Sequence, residues 1–115
     1  MHDPLTNAYL EAVVFTDFGP DSDIPSDAQF SPLAFSDAWG DARNFFYTNK
    51  DLLGDNTADS MMHDLWFTRN GHGTGFWDRP EKWGEENADI LTRCAKCMGG
   101  LWTYVGDDGL VYFSR

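Results

Sequence analysis

The apolar positions of the first fifty residues recur at helical spacing. Leu5, Ala8, Tyr9, Ala12 and Val13 fall on one stripe, the i, i+3/i+4 recurrence of an amphipathic helix. Asp3-Pro4 opens it, because Asp suits an N-cap and Pro suits the first helical position, where no N–H donor is needed. The stripe stops before Phe18-Gly19-Pro20, and a loop of turn formers and acids follows over residues 21–27. Ser31-Pro32 repeats the cap-and-proline signal, with Phe30 placed to staple the new helix. Phe35, Ala38, Trp39, Ala42, Phe45, Phe46, Leu52 and Leu53 then continue at helical spacing to Gly54. Gly40 weakens the middle of this helix by about 1 kcal/mol. Residues 55–60 read as a polar linker.

The pattern changes in the second half. Leu65-Trp66-Phe67-Thr68-Arg69 is rich in β-formers and runs into Asn70-Gly71, and Gly75-Phe76-Trp77-Asp78 follows His72-Gly73-Thr74. Two aromatic runs about Asn-Gly predict a β-hairpin with a type I′ turn, although three glycines within five residues also suit a wider loop. His63-Asp64 reads as the entry to the first strand. Residues 85–98 predict a third helix, with Ile90, Leu91 and Cys94 inward and Gly99-Gly100 as its stop. Residues 101–105 and 110–113 about Gly106-Asp107-Asp108-Gly109 predict a second hairpin. The expected order is α-α-ββ-α-ββ. It describes a single α+β domain over residues 1–115, with two to three helices packed on an antiparallel four-stranded sheet made of two hairpins.

Composition narrows the class. The 115 residues are 42% hydrophobic and 16% aromatic, too apolar for a disordered chain. The net charge of −11 argues against direct binding to DNA or to an anionic membrane. No apolar run approaches the roughly 18 residues of a transmembrane helix. The first ten residues lack the basic start and apolar stretch of a secretion signal, so the expectation is a cytoplasmic protein. Charge is also unevenly distributed. Residues 1–60 carry eleven acids against Arg43 and Lys50, a net of −9, and residues 61–115 a net of −2. One reading is a solvated acidic surface that maintains solubility. The other is a surface imitating nucleic-acid phosphates, in which carboxylates one helical turn apart, such as Asp37 and Asp41, approximate the phosphate spacing.

Three groups of residues carry candidate chemistry. Cys94-Ala95-Lys96-Cys97 has metal-like spacing but half of a four-ligand zinc set. His63 and His72 are the residues available to complete it. The end of a helix disfavours thiolate, so no metal and no cofactor are expected. In residues 69–79, glycines can expose backbone N–H groups as an anion nest. Arg69 and Arg79, with Asn70 between them, can hold a phosphate or carboxylate, and His72 with Asp78 can exchange protons. The alternative is a tight hairpin whose glycines serve its turn. Trp39, Trp66, Trp77, Trp83 and Trp102 suit base stacking, but in a chain without a basic track they are expected in core and interface packing.

The run Asp64-Leu65-Trp66-Phe67-Thr68-Arg69-Asn70-Gly71-His72-Gly73-Thr74-Gly75-Phe76-Trp77-Asp78-Arg79, followed by Gly106-Asp107-Asp108-Gly109-Leu110-Val111-Tyr112, resembles a family of small bacteriophage and prophage proteins. The resemblance is strong over residues 64–79 and extends in general layout over residues 30–113. It carries over no catalytic role. It implies a small phage accessory protein acting in the bacterial cytoplasm, and small acidic phage proteins often inhibit host nucleic-acid machinery or defence systems such as restriction and CRISPR. The resulting expectation is a non-enzymatic inhibitor of the anti-CRISPR or anti-restriction type. Its partner is a host protein with a basic nucleic-acid-binding groove, met through Asp17, Asp21, Asp23, Asp27, Asp37 and Asp41. Residues 69–79 form a second contact or stabilise the fold. Two rivals are a small anion- or nucleotide-binding protein or enzyme built on residues 69–79, and a self-associating module built on the tryptophans.

Overall fold

Asp3-Pro4 and Ser31-Pro32 start helices where the sequence places them. In the computed structural model, which describes residues 3–114, α1 runs Pro4–Asp17 and α2 runs Pro32–Asn49. Ser31 Oγ accepts the Ala34 N–H at 3.0 Å, and the Phe30 ring meets Phe35 at 6.1 Å, which completes the hydrophobic staple. Ala34, Ala38, Ala42, Phe45 and Asn49 form the buried face of α2. Phe35 and Trp39, each one position past an alanine, turn outward. A 3-10 turn over Lys50–Leu52 leads to Gly54, whose φ of +59° ends the segment.

The first expected hairpin, and with it the four-stranded sheet, does not form. Residues 58–69 are instead a helix, α3 (Ala58–Arg69), whose N-cap Thr57 accepts the Ser60 N–H. Met61, Met62, Leu65, Trp66 and Arg69 are its buried face, a helical recurrence hidden within a run of β-forming residue types. Asn70-Gly71 is the helix stop. Asn70 is the C-cap at φ −106°, incompatible with a type I′ turn, which needs positive φ at both residues. Gly71 follows at φ +66°. The His72 N–H reaches the Phe67 carbonyl at 3.1 Å and the Gly71 N–H the Thr68 carbonyl at 3.3 Å. This pair of bonds is a Schellman motif, which uses glycine for the same left-handed geometry that a hairpin turn demands.

Beyond it, residues 72–79 form an ordered loop that sends Phe76 into the core. Its ring stacks on Phe45 at 5.6 Å and meets Trp83 edge-on at 5.2 Å. The short α4 (Pro80–Trp83) and then α5 (Glu85–Cys97) follow. On α5, Leu91 is buried, Cys94 packs against the core from a partly exposed position, and Ile90 faces solvent. The C-terminal hairpin does form, from β1 (Trp102–Val105) and β2 (Val111–Ser114), antiparallel with Tyr104 opposite Tyr112. The fold is therefore helical, with α3 packed against α1, α2 and α5 and, among the described residues, one two-stranded sheet. The Trp66 indole is central: it meets Tyr9 edge-on at 5.6 Å and donates to Thr16 Oγ1 at 2.9 Å. Among the described residues no helix is long and apolar enough to cross a membrane.

The placement of Phe76 gives a direct test. Phe76→Ala should cost about 3–5 kcal/mol in urea unfolding, and Trp77→Ala, at a half-exposed neighbour, less than about 1 kcal/mol. Equal costs would be inconsistent with a loop that serves as core.

Candidate functional site

The run 64–79 is held by polar contacts within itself and to α1, α2 and the residues around α5. The Arg69 side chain is fully buried. Its Nη1 donates to Asp41 Oδ2 at 2.7 Å and to the Tyr9 hydroxyl at 2.9 Å. Nε and Nη2 donate to the carbonyls of Gly99 and Met98 at 2.8 and 3.1 Å. One guanidinium thus joins α1, α2 and α3 and satisfies carbonyls at the end of α5, where a cation is electrostatically favoured. Burial works against its charge, but Tyr9 and Asp41 outweigh that and hold its pKa above the ordinary arginine value.

The neighbouring residues are engaged in the same way. Asn70 donates to the Trp66 carbonyl at 3.0 Å and accepts the Leu101 N–H at 2.6 Å. Thr68 Oγ1 accepts the Phe76 N–H at 3.1 Å, and Asp78 Oδ1 accepts the Gly75 N–H at 2.8 Å. A Cβ on Gly75 would lie 2.0 Å from Thr68 Oγ1, so only glycine brings these strands of chain together. Arg79 donates to Thr74 at 3.0 Å and lies 3.1 Å from the buried Asp64, whose other oxygen accepts the Trp83 indole N–H at 2.9 Å. Burial raises the Asp64 pKa above the usual carboxylate value, against the opposing pull of Trp83 and Arg79.

This arrangement answers the anion-nest expectation. The N–H groups of Gly71, His72, Gly75 and Phe76 are all spent on internal acceptors, and Arg69 has no free face. His72 makes no hydrogen bond to Asp78 among the described residues; its ring lies 6.2 Å from that of Trp66. It lines a hollow of about 400 Å³ with Asp17, Asn70 and Trp102. Cys94 and Cys97 are free thiols, and no group of three metal-ligating side chains gathers among the described residues.

The six acids assigned to partner binding divide into two sets. Asp41 is committed to Arg69. Asp17 accepts the Thr103 and Thr16 hydroxyls, each at 2.8 Å. Asp21, Asp23, Asp27 and Asp37 are exposed and pair with no basic side chain among the described residues. Asp21, Asp23 and Asp27 stand on a loop that is pinned rather than loose. Phe18 bridges Ile24 and Phe30 bridges Val111, Ile24 is buried, and the Ser22 hydroxyl donates to the Asp17 carbonyl.

What the sequence did not single out is an apolar groove between α1 and α2. Two adjoining hollows of about 650 and 580 Å³ share Phe30 and Phe35 as a common wall. Trp39 and Pro32 line the first, and Leu10, Val14 and Phe15 the second. Phe15 is 82% exposed, Trp39 47% and Phe35 44%. The available clue was phase. Alanine at 34, 38 and 42 marks the inward face of α2, which places Phe35 and Trp39 outside it.

No protein-family model matches the chain, and neither does any curated protein or solved structure.

Two stability measurements test the assignment of residues 64–79 to the fold. Arg69→Met should cost about 3–5 kcal/mol, because it leaves buried partners uncompensated, and His72→Ala should cost no more than about 0.5 kcal/mol. For Asp64 the sign follows from its raised pKa, since the fold favours the protonated acid. The stability of the parent chain relative to Asp64→Asn should be greatest below the ordinary value of 3.8 and should decline as pH rises through the higher folded value. Urea titrations of both proteins from about pH 3 to pH 6 read this difference; a difference that grows with pH would contradict it.

Proposed function

We propose that this chain is a non-enzymatic binding protein, a small acidic phage accessory factor. In this reading it acts in the bacterial cytoplasm as an inhibitor of a host nucleic-acid-handling or defence protein, of the anti-CRISPR or anti-restriction type. The observation that carries the reading is the pairing of an exposed apolar groove with unpaired acids. Phe15, Phe35 and Trp39 stand in water on a chain whose core already holds Tyr9, Trp66, Phe76 and Trp83. Adjoining apolar surface of this kind marks a protein contact, and aromatic side chains supply most of the energy of such contacts. The acids beside it would draw a basic partner and orient it.

The polyanion-mimic form of this reading changes in one respect. Asp37 and Asp41 do not act as a phosphate-like pair, because Asp41 is held by Arg69. The surface offers instead an apolar groove lined by Glu11, with Asp37 next to the lining residue Ser36 and Asp21, Asp23 and Asp27 on the loop between Phe18 and Phe30. The rival reading of residues 69–79 as an anion or catalytic site has less support, since both arginines and the N–H groups of Gly71, His72, Gly75 and Phe76 already have partners.

The test is capture from bacterial lysate at low and high salt, with retained proteins identified by mass spectrometry. The parent chain should retain a nucleic-acid-handling or defence protein. Phe35→Asp should reduce capture at least about tenfold. Neutralising Asp21, Asp23, Asp27 and Asp37 to Asn should weaken capture at low salt and flatten its salt dependence. Capture that survives both changes but is lost in His72→Ala would transfer the function to the glycine-rich loop.

A further inference from the structure

The form of the groove's occupant can be read from its walls. We infer that the groove receives an amphipathic α-helix of the partner, its apolar stripe flanked by Lys or Arg; this deepens the docking reading above and rests on it.

Backbone chemistry sets the first condition. Apart from Phe30, which precedes α2, the groove is walled by side chains of two helices, and beyond their end turns the N–H and C=O groups are consumed within those helices. An extended peptide laid there would find no row of main-chain partners, and buried unpaired amides are costly. β-Strand addition needs an open sheet edge, whereas an apolar trough suits a segment that satisfies its own backbone. A helix does so.

Dimensions set the second. The wall contributed by α1 extends from Thr6, in the first hollow, to Phe15, in the second. At 1.5 Å per residue that is about 13 Å, or some two and a half helical turns. Anchors at i, i+3 or i+4, and i+7 cover that length, and the Phe30–Phe35 wall divides it into two receiving hollows.

The groove is also preformed. Arg43 lies over Trp39 at 4.8 Å and is tied to Asp3 at 3.1 Å, whose other oxygen accepts the Thr6 hydroxyl at 2.5 Å. Phe30 is held between Phe18 at 5.2 Å and Phe113 at 6.1 Å. Fixed walls reduce the ordering cost of binding.

Charge selects the flanks. Glu11 lines the second hollow. Asp37 follows Ser36, which lines the first. The Phe18–Phe30 contact fixes the acidic loop 21–27 to the groove's wall. At the Trp39 end, Arg43 is already paired with Asp3. A helix with acidic flanks would be repelled and one with basic flanks attracted.

The test uses the full chain, ¹⁵N-labelled, titrated with three synthetic peptides of about 16 residues. One carries Leu at i, i+3, i+4 and i+7 with Lys elsewhere. The second has the same composition in strict Leu/Lys alternation, and the third keeps the helical pattern with Glu replacing Lys. The helical Lys peptide should bind saturably, gain helical circular dichroism on binding, and shift resonances of residues 6–15 and 30–39. Phe35→Ala and Trp39→Ala should each weaken it about tenfold. The alternating peptide should bind at least about tenfold more weakly, and the Glu peptide should not bind. Equal binding by the alternating peptide overturns the helix assignment, as does binding indifferent to Phe35→Ala. So does a dimer in sedimentation that Phe35→Asp dissolves, which would place a second copy in the groove. Phe35-dependent capture from lysate with no response to the helical peptide also overturns it, and leaves the docking reading standing. Peptide binding without any such capture supports the helix assignment and counts against the docking reading.

Discussion

The Arg69 guanidinium is the contact on which the rest of this molecule depends. A fully desolvated cation is among the most costly groups to bury, and it is tolerated only where each N–H finds an acceptor and an anion offsets the charge. Here the acceptors come from three separate parts of the chain: Tyr9, Asp41 and the adjoining Met98 and Gly99. Satisfying one side chain therefore fixes how α1, α2 and the end of α5 approach α3. The consequence extends to the sheet, because Asn70, the next residue, fixes Leu101 immediately before β1. The helix stop at Asn70-Gly71 and the route of the C-terminal hairpin are set by the same pair of polar residues.

That constraint explains why most polar groups of the most chemically suggestive run in the sequence serve the fold. Arginine, asparagine, histidine, aspartate and a string of glycines are what an anion-binding loop needs, and equally what a buried turn needs. The difference lies in whether donors point outward, and here those of Arg69, Asn70, Gly75 and Phe76 are taken by internal acceptors. Gly75 illustrates the economy of the arrangement: its lack of a side chain lets Thr68 Oγ1 reach the Phe76 N–H, which in turn seats Phe76 between Phe45 and Trp83. Asp78 and Arg79 complete the loop from its far side. With those groups engaged in the fold, α1 and α2 still expose Phe15, Phe35 and Trp39.

The helices were legible to the extent that their ends are marked. Asp3-Pro4, Ser31-Pro32 and Gly99-Gly100 bracket elements whose observed bounds follow those marks closely. The C-terminal hairpin was legible from its Gly-Asp-Asp-Gly turn. The helix over residues 58–69 was not, because Leu65-Trp66-Phe67 is as favourable for a strand as for a helix, and the spacing that decides begins earlier, at Met61 and Met62. Asn-Gly compounded the error, since a left-handed glycine ends a helix as readily as it turns a hairpin. Of the candidate site, the exposed acids of the loop and Asp37 were legible as charge. Asp41 was not separable from them, because its partner lies 28 residues away in sequence. The groove was hidden for the opposite reason: Phe35 and Trp39 share helical spacing with Phe45, and only the alanines beside them show which face is inward.

The division among the acids bears on how such a surface can act. Asp3, Asp17 and Asp41 each take internal donors, while Glu11 lines the aromatic face, Asp37 adjoins it through Ser36, and the loop 21–27 carries three further exposed acids. Repulsion among exposed carboxylates is screened beyond about 8 Å at physiological ionic strength, so keeping them there costs the fold little. Screening equally limits what they add to a settled complex, and their main effect is on the rate and orientation of approach. The holding energy must then come from apolar area removed from water, at about 25 cal/mol per Å² before the costs of association. Charge without the groove would give a fast, salt-labile encounter. The groove without charge would expose an unselective apolar patch. In the proposed reading, the two together would let one small chain choose a basic partner and keep it.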